Sequence, residues 1–63
     1  MSDLRAVVAR IEQLLHERPR TFYDLLRALG DAEYREVLQA WGTLREGRRL
    51  GRDEHGLYVL RQT

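Results

Sequence analysis

The 63-residue chain has no cysteine, no lysine and no asparagine, and only one proline and one serine. Without cysteine there is no disulfide and no thiolate metal site, so a domain near the lower size limit for independent folding rests on its apolar core. All eleven basic residues are arginine, against ten acids, for a net charge of +1. That balance is far from the strongly basic composition that announces a polyanion partner. No apolar run approaches the roughly 18 residues of a membrane span, and Met1-Ser2-Asp3 lacks the basic-then-apolar pattern of a signal peptide. A soluble cytoplasmic protein without membrane association is expected. Ser2, the lone serine, is terminal and makes a poor nucleophile. His16 and His55 are far apart, and neither has the i, i+4 partner of a helical metal site. There is no glycine-rich phosphate loop. Not an enzyme, with no catalytic residue, no metal and no cofactor, is the expectation. With no repeats or linkers, residues 1–63 read as one domain, and the Met1 start followed by an early helix favours a whole protein.

What is present is a run of amphipathic segments. Leu4, Val7, Val8, Ile11, Leu14 and Leu15 follow the helical 3, 4, 7 spacing, which predicts a first helix over about 3–17, capped by Ser2 and stopped before Pro19. Thr21 and Asp24 have capping-box spacing ahead of Phe22, Leu25, Leu26 and Leu29, predicting a second helix over about 22–29. Gly30 is expected as its left-handed C-terminal cap, and Asp31 as the N-cap of a third helix over about 32–46. At about 100° per residue, Tyr34, Val37, Ala40, Trp41 and Leu44 share one arc of that helix. Arg35, Gln39, Gly42 and Glu46 occupy the opposite arc, with Leu38 and Arg45 on the flank. A hairpin over about 48–61 should turn at Asp53-Glu54-His55-Gly56, placing Leu50, Tyr58 and Leu60 against the helices and Leu57 or Val59 outward. The fold class is mainly α with a small β-hairpin.

Two short helices joined by Gly30-Asp31 cross steeply, in the manner of a helix-turn-helix. The residues Val37, Trp41, Leu44, Gly47, Leu50, Gly56, Tyr58 and Leu60 resemble the C-terminal half of winged helix-turn-helix domains. In many of these the recognition helix ends in Leu-x-x-x-Gly-x-Leu or Leu-x-x-x-Gly-x-Val and the wing closes on Gly-x-Tyr-x-Leu. Gly56-Leu57-Tyr58-Val59-Leu60 matches the second pattern, whereas the first is altered here, with Leu44 and Gly47 three apart and two arginines before Leu50. The resemblance implies a small DNA-binding, transcription-related protein whose partner is double-stranded DNA. It implies that the third helix enters the major groove with Arg35 and Gln39 toward base edges. It also implies phosphate contacts from Thr21 and Tyr23 at the start of the second helix and from Arg20, Arg45, Arg48, Arg49 and Arg52. Replacing Arg48 and Arg49 together by Glu is then expected to abolish binding without loss of stability.

The acids weigh against that reading. Asp31, Glu33 and Glu36 cluster near the start of the third helix, and Asp53 and Glu54 occupy the hairpin tip, where a phosphate binder would carry cations. The alternative is a winged helix that binds protein, through Leu38 and Leu57, as a homodimerisation module or an adaptor. His16 reads as a dipole partner at the end of the first helix, and His55 as a loop residue.

Overall fold

The computed structural model describes residues 3–61 of the chain. Three helices, α1 (Leu4–Glu17), α2 (Phe22–Ala28) and α3 (Tyr34–Glu46), are followed by an antiparallel hairpin of β1 (Leu50–Arg52) and β2 (Tyr58–Leu60). The three-helix-plus-hairpin architecture expected from the sequence is therefore present.

The Ser2 cap lies outside the described residues. Asp3 occupies the N-cap of α1, its carboxylate accepting from the backbone N–H groups of Arg5 (3.1 Å) and Ala6 (3.4 Å). The helix ends one residue ahead of Arg18, which is fully extended before Pro19, as proline demands of its predecessor. The next residue, Arg20, joins the sheet. Its N–H donates to the Tyr58 carbonyl (3.1 Å) and its carbonyl accepts from the Tyr58 N–H (2.8 Å). That bridge fastens the α1–α2 connection to β2.

At α2 the capping box forms as expected: the Asp24 N–H donates to the Thr21 hydroxyl (3.0 Å) and the Thr21 N–H to the Asp24 carboxylate (3.5 Å). Its other end departs from expectation. Leu29 is the C-cap and Gly30 is not left-handed. The Ala32 N–H instead turns back to the Leu29 carbonyl (2.9 Å), so the connection closes without a positive φ. α3 also starts later than expected. Glu33 holds the N-cap and makes no side-chain cap bond, because the expected cap, Asp31, is drawn to Arg10 of α1 at 3.0 Å. The same guanidinium reaches the Ala28 carbonyl at the end of α2 (3.5 Å). Arg10 beside it holds the Asp31 carboxyl below the usual carboxylate range.

Val7, Ile11 and Leu15 of α1, Leu25 and Leu29, and Val37, Ala40, Trp41 and Leu44 of α3 form the buried core. Leu50, Tyr58 and Leu60 pack against it from the hairpin, as their alternation predicts. Tyr34 does not join them and is 59% exposed. It is the first residue of α3, a turn ahead of Val37, where that helix first becomes buried. Leu4, first on the α1 stripe, is likewise partly exposed.

Candidate nucleic-acid interface

With Val37, Ala40, Trp41 and Leu44 turned inward, α3 presents Arg35, Gln39 and Glu46 to solvent, and Leu38 is 44% exposed beside them. Gly42 lies amid these residues, and a Cβ added to it would meet nothing within 4 Å. A mid-helix glycine costs about 0.8–1 kcal/mol relative to alanine, and no internal packing requires it here.

The exit from α3 is unusual. The Arg48 N–H donates to the Arg45 carbonyl (3.0 Å) and the Arg49 N–H to the Leu44 carbonyl (2.9 Å). These are the two bonds of a Schellman motif, whose left-handed position is normally glycine. Gly47, however, holds the cap at φ −78°, and the left-handed residue is Arg48 at φ 58°. The altered Leu44-x-x-Gly47 spacing thus places an arginine where the backbone favours glycine.

Between α3 and the hairpin lies an open groove lined by Trp41, Arg45, Leu50, Gly51, Arg52 and Tyr58. Its aromatic floor is built edge to face. Trp41 stands against Phe22 of α2 (5.0 Å between centroids, 67°) and against Tyr58 of β2 (4.8 Å, 86°). Arg52 lies over the Tyr58 ring at 4.8 Å and donates to its hydroxyl at 3.2 Å. Arg45 belongs to the other wall. Among the described residues, neither Arg45, Arg48 nor Arg52 is ion-paired.

Other expected contacts are committed elsewhere. Arg49 pairs with Glu12 of α1 at 2.8 Å, so exchanging it for Glu would oppose two carboxylates and lower stability, contrary to the sequence-based expectation. Arg20 turns inward, with Nε donating to the Leu14 carbonyl (3.0 Å) and Nη2 to Glu17 (3.1 Å), closing the end of α1. The Thr21 hydroxyl caps α2. Tyr23 is 66% exposed on α2, with the Arg27 guanidinium 5.9 Å from its ring centre. Of the two leucines of the protein-binding alternative, Leu38 is exposed but Leu57 is half-buried in the hairpin turn.

The acids of the hairpin tip divide by role. Asp53 accepts from the His55 and Leu57 N–H groups (both 2.9 Å), and Gly56 supplies the left-handed residue at φ 80°. Asp53 is thus tied into its own turn, while Glu54 and His55 remain exposed, 3.6 Å from each other. Sequence reasoning passed over Arg61. Its side chain crosses the strand at Gly51, where an added Cβ would lie 2.7 Å from the Arg61 Cγ. The available signal was Gly51 itself, since glycine inside a strand marks a close approach.

Among the described residues there is no cluster of three or more His, Asp or Glu able to hold a metal ion, and no helix is long and apolar enough to cross a membrane. Comparison with protein-family models, with curated proteins and with solved structures found no match.

Proposed function

We propose that the chain is a winged helix-turn-helix domain that binds double-stranded DNA in a transcription-related role. α3 lies in the major groove with Arg35 and Gln39 at base edges, where arginine suits guanine and glutamine suits adenine. The hairpin is the wing, and Arg45, Arg48 and Arg52 neutralise phosphates. The observation that carries this reading is the groove between α3 and the hairpin, walled by Arg45 and Arg52, which have no acidic partner among the described residues. The tie of Asp53 into its turn lessens the objection raised by the tip acids, and the Arg10–Asp31 pair does the same at the α3 entrance.

The test is fluorescence anisotropy with labelled duplex DNA over a range of salt. Three phosphate contacts give a log–log salt slope of about −3, since each contact contributes about −0.9. Arg45→Gln with Arg52→Gln should reduce that slope to about −1. Absence of binding even at low salt would overturn the proposal.

A second reading has one specific observation behind it. Tyr34 and Leu38, four residues apart on α3, are both exposed, and such neighbours share a helix face. On that reading the face is a homodimer or protein-partner seam. Sedimentation of the free protein, run beside the titration, separates the two: a dimer without duplex affinity favours the seam.

A further inference from the structure

Arg52 and Tyr58 stand directly opposite each other in the hairpin. Both backbone groups of Tyr58 turn away from that pairing, to Arg20 on the other side of β2 (2.8 and 3.1 Å). The pair is therefore of the non-hydrogen-bonded kind, in which antiparallel side chains approach most closely. Across it the Arg52 guanidinium lies over the Tyr58 ring, 4.8 Å from its centre, and Nη2 donates to the hydroxyl at 3.2 Å. The ring is itself fixed, edge to face against Trp41 of the buried core at 4.8 Å. Arg20 and Arg49 spend their charge on Glu17 and Glu12. The partners of Arg52, by contrast, are neutral. A ring face and a hydroxyl hold a guanidinium in place without cancelling its charge, and among the described residues it has no other hydrogen-bond or ion-pair partner. The groove that Arg52 lines with Trp41, Arg45, Leu50, Gly51 and Tyr58 carries no carboxylate.

We infer that Tyr58 is a positioning residue for the phosphate contact of Arg52, an assignment that rests on the duplex-binding proposal above. An unbraced arginine samples many rotamers, and freezing them on binding lowers affinity by about two- to tenfold. Tyr58 does that ordering in the free protein. Its hydroxyl takes one N–H of the fork and its ring supports the plane, while the remaining donors stay open to paired contact with two phosphate oxygens. The hydroxyl does not touch the phosphate; it acts through Arg52. Arg45, on the other wall of the groove, has no such brace among the described residues.

The test is a double-mutant cycle on the full chain, with duplex affinity measured by anisotropy over a range of salt. Tyr58→Phe removes the hydroxyl and keeps the ring on Trp41. It should weaken binding about two- to tenfold and leave the salt slope unchanged, because Arg52 still reaches its phosphate. Arg52→Gln should lower the slope by about 0.9. Adding Tyr58→Phe to Arg52→Gln should change nothing further, whereas a merely structural tyrosine would cost the same affinity in both backgrounds. Nitrogen-15 relaxation of the free wild type supplies a readout that needs no variant: the Arg52 Nε–H should be more ordered than that of Arg45. Unchanged affinity in Tyr58→Phe overturns the assignment and leaves duplex binding standing. So does an equal loss in both backgrounds, or an Arg52 side chain as mobile as Arg45. No binding by the wild type at low salt overturns the assignment and the proposed function together.

Discussion

At the scale of single residues, Arg48 departs most from local preference. A left-handed backbone costs a residue with a Cβ roughly 1–2 kcal/mol, and Arg48 bears that strain at φ 58° with no ion pair among the described residues to offset it. Arg48→Gly should relieve the strain, less the roughly 0.4–1 kcal/mol that a more flexible unfolded chain subtracts. A net gain of up to about 1.6 kcal/mol is expected, alongside weaker duplex binding if the proposed function holds. Thermal melts with anisotropy on the same samples check both halves; a Tm at or below wild type would remove the strain argument. The winged-helix resemblance named the arginines, but their partners were beyond local reading. Arg49 was lost to Glu12, 37 positions earlier (49 − 12), and Arg20 to the end of α1. Arg45 and Arg52 stayed available because none of the described acids pairs with them.

At the scale of elements, the ends of helices divide into those set by neighbours in sequence and those set from afar. The α2 start was legible because Thr21 and Asp24 satisfy each other within one turn. Thr21→Ala should therefore cost about 1 kcal/mol, read as a fall in Tm of about 4–8 °C. Duplex affinity, measured where both proteins are folded, should not change. A specific loss of affinity would instead return Thr21 to the phosphate contacts. The α3 start was misread because its natural cap, Asp31, bonds to Arg10 on another helix. A side chain with two competing partners goes to the stronger, charge-assisted one, and periodicity along one helix carries no trace of that competition. The same late start leaves Tyr34 in solvent, although its arc matched the core.

For the molecule as a whole, Trp41 is the joint. It touches Phe22 and Tyr58, so one side chain ties α2, α3 and the hairpin together and forms the floor of the groove. A domain of this length has a total stability of about 3–9 kcal/mol, and a buried tryptophan exchanged for alanine costs about 3–5. Trp41→Ala should accordingly leave much of the protein unfolded in buffer, while Trp41→Phe should remain folded with a lower urea midpoint. Circular dichroism during urea titration checks this; a cooperative, near-native transition for Trp41→Ala would show that the hairpin is held by Leu50 and Leu60 instead. The groove is thus a property of the packing, and no single segment contains it.

By itself, the sequence determined the three helices, the hairpin, its turn and most of the core. These follow from side-chain periodicity, proline and glycine punctuation and a capping pair, all of which act within a few residues. Tertiary structure decided which charges are available to a ligand. An arginine is free or spent according to whether folding brings a carboxylate or an unpaired carbonyl to it, and those partners come from other elements. It also decided that Gly42 opens to solvent and that Arg48, rather than Gly47, takes the left-handed turn, because only the packed helix and its exit fix where each backbone position faces.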